Sequence, residues 1–344
     1  MNIPLLSRVK ACSAGVKIGD AMGMPWELKT HEEIMAETDG KGVTGFCEPK
    51  KRRTDLKLPL GSSTDDWALT RALARSLIRR KGFDLYDMAA AQIRELRSEL
   101  GWGGTTRRAM TQMETYFLTL GEAGRSPAEP LSPVLGDKGA GNGVAIKISP
   151  LVLWEVVKSR GWYYNDTILY QQVKAVGLQT HPNPLAFFSA CVLALLLGEI
   201  LRHPIDSDAE KRDAIPKVLH FLHNNDRRFD CRLIYQRLNM IADNVSVVDA
   251  DWFRQHIGTS CYAPESVMFA IATFLRHPTD FRAAVLEAVN AGGDTDSTAS
   301  MVGALVGANC GLDAIPEEWL NFRPDFCEPL ELGEKLFNAA QNAR

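Results

Sequence analysis

A chain of 344 residues, 45% of them hydrophobic, can bury a sizeable core, and its length alone allows one domain or two. A formal net charge of −3 with 24% charged residues lacks the broad basic field of a nucleic-acid binder, so no nucleic-acid partner is expected. Seven scattered cysteines, without a Cys-x-x-Cys pair or zinc spacing, favour reduced thiols. The opening stretch Met1 to Gly15 has no charged region followed by a long apolar core, so no signal peptide is expected and the chain reads as soluble and cytoplasmic.

In chain order, the stretch Glu37 to Gly61 resists helix assignment. Its basic run Lys50 to Lys57 suits either a solvated loop or a patch for an anionic partner. A helix is then expected from Asp65, with Leu69, Leu73 and Leu77 on one stripe and Ser63 or Thr64 as the cap. Arg79, Arg80 and Lys81 fill its last turn, and Gly82 is the expected stop. A second long loop spans Gly121 to Gly143. The glycine-rich stretch Gly139 to Pro150 runs towards a helix and suits either backbone N–H contacts to phosphate or a plain turn with Gly143 as its flexible residue. His181 precedes the apolar run Leu185 to Leu197, which includes Ser189 and reads as a buried core helix too short for a bilayer, so no membrane partner is expected. Asn244 to Val248 is the best strand candidate, and a short one. Helices follow from Pro264 and from Asp280, the latter stopping at Gly292 and Gly293. After Asp294, small residues recur at Ala299, Gly303 and Gly307, a face that lets a neighbouring helix approach closely and suits a central element. The expectation is an all-α chain with one domain over residues 1–344 and no repeat array.

Clustered carboxylates stand at two helix starts, Asp65 with Asp66 and Asp294 with Asp296. Capping explains one carboxylate at each place, because the positive end of a helix favours an anion. It explains a pair less well, since neighbouring like charges oppose each other's ionisation. A hard divalent cation would remove the conflict, and hydroxyls stand beside each pair in Thr64 and Ser297. Capping and metal binding therefore both stay open on spacing alone. His31 lacks the second histidine of a zinc helix, and His220 with His223 has no evident third ligand. Nucleophile-elbow, Walker and dinucleotide-binding signatures are absent.

Six blocks in order resemble the ADP-ribosylglycohydrolase family. They are Gly15 to Glu27, Ser63 to Thr70, Gly101 to Met110, Gly141 to Leu151, Thr180 to Ala186 and Gly292 to Ala308. The resemblance implies a compact orthogonal helix bundle with a binuclear magnesium centre at helix N-termini, Mn²⁺ being an alternative ion. By motif, Thr64, Asp65, Asp66, Asp294, Asp296 and Ser297 would be metal ligands. Glu27 and Asp66 would be the catalytic carboxylates that steer water. Gly141, Asn142, Gly143 and His181 would contact the diphosphate, and Gly103, Gly104 and Thr105 would shape the channel for the distal ribose. Lys147 stands where many family members carry arginine.

The implied reaction is Mg²⁺-dependent cleavage of the bond joining ADP-ribose to a modified acceptor, foremost ADP-ribosylarginine on protein, through an oxocarbenium-like transition state. The implied partners are an ADP-ribosylated protein or small acceptor. An alternative is a binder of the same fold that neutralises an ADP-ribosyltransferase by direct contact, alone or together with hydrolysis, with Glu37 to Gly61 as the candidate surface in the combined role. A metal-dependent phosphohydrolase is a third reading.

Overall fold

Two helices built largely of small residues, Leu5–Gly23 and Thr295–Cys310, lie back to back at the centre of the protein. A computed structural model describes residues 3–51, 57–96, 101–120, 139–159, 165–225 and 231–343. The protein is about 73% helical, and no strand occurs among the described residues. The hydrophobic core runs from Val9 to Ala340.

The central contact is antiparallel and is made of backbone. A Cβ added at Gly15 would sit 2.0 Å from the Gly303 carbonyl oxygen, and one at Gly303 would sit 2.2 Å from that of Gly15. The same relation joins Gly19 to Ala299 at 2.1 Å, Gly23 to Thr295 at 2.4 Å and Gly307 to Ala11 at 2.4 Å. The small-residue face expected after Asp294 is therefore the seam of the fold. Every residue of Thr295–Cys310 is buried. Arg8 secures the far end: its guanidinium donates to the carbonyls of Ala308, Leu201 and Ile200, satisfying groups that helix C-termini leave open.

Outer helices begin with local caps. Thr30 and Glu33 form a reciprocal capping box, and Asn165 and Asp280 accept N–H bonds from the first turns they precede. The helix at Asp65 spans Asp65–Arg80, but its C-terminal left-handed residue is Lys81 at φ 55°, one residue before the expected Gly82. The apolar run forms Pro184–Arg202, 19 residues, which by length and composition is long enough to cross a membrane, contrary to the sequence expectation. With 83% of its most apolar window buried inside the protein, it is a core helix, as expected. Asn244 to Val248 is not a strand. Asn244 ends the helix Arg232–Asn244, and the N–H groups of Val247 and Val248 return to its carbonyl in turns. Most of the loop Gly121 to Gly143 and part of Lys50 to Lys57 lie outside the described residues.

Gly15→Ala places a methyl group against backbone that has no free rotor to yield, so destabilisation at the upper end of about 1–3 kcal/mol is expected. Gly82→Ala, where nothing lies within 4 Å, is expected to be neutral or to stabilise by about 0.4–1 kcal/mol. Urea melts of the two variants check this. Equal midpoints would remove the glycine seam as the fold's main constraint.

Candidate metal centre

The antiparallel seam brings the C-terminus of the first helix and the N-terminus of the small-residue helix to the same end of the molecule. The first helix runs on through a short turn, Met24–Trp26, to Glu27. There the Leu28 N–H donates to the Gly293 carbonyl at 2.8 Å, and the Gly293 N–H donates back to Lys29 at 2.7 Å. Gly292 and Gly293 have φ of 76° and 80°, and a Cβ on either would strike backbone of Lys29, Thr30 or Thr259. The double glycine thus lets Asp294 and Asp296 sit beside Glu27. One carboxylate oxygen from each of Glu27, Asp294 and Asp296 lies within 4.8 Å of the others.

The helix Asp65–Arg80 points its N-terminus into the same space. Thr64 occupies its cap position without capping it. The cap comes instead from Asp20 of the first helix, fully buried, whose carboxylate accepts from the N–H groups of Thr64 and Trp67 at 2.9 Å and from Thr64 Oγ1 at 2.8 Å. Asp65 and Asp66 follow in the first turn. Ser297 Oγ donates to Asp66 Oδ1 at 3.4 Å, while Asp66 Oδ2 is buried with no hydrogen-bond partner.

A cavity of about 180 Å³ collects these groups. Glu27, Asp65, Asp66, Asp294, Asp296 and Ser297 form one wall. Gly103, Gly104 and Thr105, at the start of the helix Gly104–Leu120, line it with Gly141, Asn142, Gly143 and His181. Of the fourteen residues singled out in the sequence, only Thr64 is not on its wall. Gly101, Thr106, Ile146 and Cys261 also line it and had no role in the sequence reading.

Two residues of this loop also have protein neighbours that the sequence did not indicate. The Asn142 amide donates to Asp294 Oδ2 at 2.6 Å and to Ser266 Oγ at 3.0 Å, so its side chain braces a carboxylate. Gly143 is not a flexible turn residue with positive φ; a Cβ there would lie 2.6 Å from His181 Cε1 and 2.9 Å from Thr106 Oγ1, so the need is for space. Asp20 is the functional neighbour that the sequence reading missed, although it is the sole carboxylate in its helix.

The charge balance is one-sided. Burial, reinforced by Asp294 and Asp20, pushes the Glu27 carboxyl up to about 7. Burial raises Asp20 to about 6 despite hydrogen bonds from Trp67 and Thr64 and the nearby Lys17 ammonium. Asp65, Asp66 and Asp296 are held well above the usual carboxylate range, first by burial and then by neighbouring carboxylates, Asp20 foremost for Asp65 and Asp66 and Glu27 for Asp296, and Asp294 is raised by burial. An oxygen-rich, anionic set with an unpartnered buried oxygen fits a hard divalent cation, which would restore the ionised forms.

A family model described as ADP-ribosylglycohydrolase matches residues 1–344. The chain belongs to the ADP-ribosylglycohydrolase family. ADP-ribosylhydrolase ARH3 of Homo sapiens is 26% identical, with 98% of this chain and 95% of that protein covered. The ADP-ribosyl-[dinitrogen reductase] glycohydrolase of Rhodospirillum rubrum is 27% identical, with 89% and 87% covered. A solved structure named ADP-ribosylglycohydrolase-related protein complex matches at a TM-score of 0.71 and 26% identity, over 98% of this chain and 99% of that one. Members of the family are hydrolases of glycosyl bonds, and so is this protein.

Two outcomes follow for the ADP-ribosylglycohydrolase centre. The raised carboxyl groups bind protons more tightly folded than unfolded. Without metal, their contribution to stability is therefore complete below the ordinary carboxylate range and is lost as pH rises through about 6 and 7. In chelator, Tm is expected to fall between pH 5 and pH 7.5, and Mg²⁺ to raise Tm more at the higher pH. A metal-induced shift independent of pH would contradict the charge balance described. Asn142→Ala removes the brace on Asp294 and is expected to weaken metal binding about 10–100-fold by calorimetry. Unchanged affinity would relieve Asn142 of that role.

Proposed function

We propose that this ADP-ribosylglycohydrolase releases ADP-ribose from ADP-ribosylarginine on protein, with two Mg²⁺ ions held by Thr64, Asp65, Asp66, Asp294, Asp296 and Ser297. The observation that carries the reading is the close grouping of Glu27, Asp294 and Asp296, in one cavity with Asp66 and its unpartnered buried oxygen. Magnesium bound there would supply Lewis-acid polarisation of ribose hydroxyls and water.

The protein's own groups would do the rest. Glu27, half-buried at the cavity, holds the attacking water and takes its proton at a carboxylate oxygen, while Asp66 fixes the direction of approach. A cation beside Glu27 lowers its pKa from about 7 and keeps it in the accepting form. The loop Gly141 to Gly143 lets backbone approach an anionic diphosphate closely, with His181 behind it. An acidic wall suits a guanidinium leaving group, which is why arginine is the acceptor proposed. The protein substrate is further supported by the R. rubrum relative, named for ADP-ribosyl-[dinitrogen reductase]. We also assign the protein to the cytoplasm, a reading supported by seven cysteines none of which is in a disulfide.

The test is release of free ADP-ribose from arginine-, serine- and nucleobase-linked substrates, with Mg²⁺ or chelator. Glu27→Gln is expected to lower kcat about 10²–10⁴-fold, and Asp296→Asn to abolish both turnover and the Mg²⁺-induced rise in Tm. Release from serine alone would replace the acceptor. AMP or phosphate as product would point to a phosphohydrolase. Binding of an ADP-ribosyltransferase without any release would favour the contact reading.

A further inference from the structure

Behind the loop Gly141 to Gly143 a buried chain of polar groups leads away from the cavity. Lys147 Nζ, on a fully buried side chain, donates to Thr180 Oγ1 at 3.3 Å, and Thr180 Oγ1 lies 3.0 Å from His181 Nδ1. His181 lines the cavity. Its Nε2 edge faces the loop, 3.6 Å from where a Cβ on Gly141 would stand and 3.1 Å from one on Gly143, and has no protein partner among the described residues.

We infer that Lys147, acting through Thr180, holds His181 in the Nε2–H tautomer, so that the cavity presents a neutral N–H donor to an anionic phosphate-type oxygen. The hydrogen count requires it. A lysine ammonium has donors only, so Thr180 Oγ1 accepts from it and still carries one hydrogen. Thr180 is completely buried, and among the described residues its hydroxyl has Lys147 and His181 as partners. Leaving that hydrogen unmatched costs about 1–3 kcal/mol, so it goes to His181 Nδ1. Nδ1 is then the acceptor and the ring proton sits on Nε2. The opposite tautomer would aim a lone pair at an anion and leave two N–H or O–H hydrogens opposed.

Charge supports the assignment. Burial, with the Lys147 charge nearby, lowers His181 to about 3, so the ring is neutral over the working range. Burial lowers Lys147 to about 7 against the pull of Asp65, so it is an ammonium at pH 6. Lys147 and Thr180 are positioning residues: neither lines the cavity. The anion side of the inference rests on the reading of this cavity as an ADP-ribose site, whereas the tautomer does not.

The test is a long-range ¹⁵N–¹H spectrum of histidine-labelled, ligand-free protein at pH 6, with the His181 signals assigned by their loss in His181→Asn. Nε2–H in the wild type is expected, and Nδ1–H would overturn the inference whatever the variants do. Thr180→Val is expected to mix the tautomers and weaken ADP-ribose binding about 10-fold, with the Mg²⁺-induced rise in Tm retained. Thr180→Ser should restore both signals, and Lys147→Met should resemble Thr180→Val. An ADP-ribose affinity unchanged in Thr180→Val would also overturn it. Failure of the wild type to bind ADP-ribose at all would instead overturn the functional reading, and the tautomer would still be decided by the wild-type spectrum.

Discussion

The two central helices approach so closely that glycine backbone on one lies against backbone of the other. Along the seam between Leu5–Gly23 and Thr295–Cys310, backbone meets backbone at Gly15, Gly19, Gly23, Gly303 and Gly307. Such proximity fixes both the separation of the two helices and their register, because a slip by one residue would bring a Cβ into a carbonyl. With register fixed, the ends of the two helices are fixed as well. Asp20 and Glu27 on one side then face Asp294 and Asp296 on the other without any adjustable linker. The position of the third helix, Asp65–Arg80, is set from the same frame, since its first-turn N–H groups are held by Asp20.

That rigid frame concentrates negative charge where water cannot dilute it. Elsewhere the protein pairs its buried ions: Lys17 reaches Asp325 at 2.7 Å, and Lys29 reaches Glu37 at 2.6 Å. At and beside the cavity six carboxyl groups from Asp20 to Asp296 share helix N-termini, with Lys17 near Asp20 and Lys147 acting on Asp65. A helix end contributes only about 0.3–1 kcal/mol per favourable charge. Desolvating each ion costs several kcal/mol even after relaxation. The helix ends alone cannot offset that, and an acidic cluster left in this deficit could hold a metal ion.

Much of this was legible as sequence because it depends on residue type. Paired aspartates with neighbouring hydroxyls at two helix starts, and glycines spaced four apart, carry their chemistry locally. What sequence did not reveal depends on neighbours from elsewhere in the chain. Asp20 looks like a stray acid until the helix it caps is placed against it. Gly143 passes for a flexible turn until His181 and Thr106 fill the space beside it. Lys81 takes the left-handed position although Gly82 follows, so the end of that helix is set by where its hydrogen bonds stop. The β-branched run Asn244 to Val248 favours a strand by composition, but among the described residues it has no neighbouring strand with which to pair, and it closes into turns.

Gly23 and Thr295 are hydrogen-bonded at 2.8 Å although 272 residues separate them. During synthesis the first helix therefore leaves the ribosome with its glycine face uncovered, and that face stays uncovered until the helix from Thr295 has followed, on the order of tens of seconds later. Through that interval Asp65 and Asp66 have no opposite number and no cage in which to trap an ion. Contacts so distant in sequence make for slow closure of the native state. They also mean that a nascent chain acquires its core and its acidic cavity together: until the helix from Thr295 has been made, Glu27, Asp65 and Asp66 have no Asp294 and Asp296 to face.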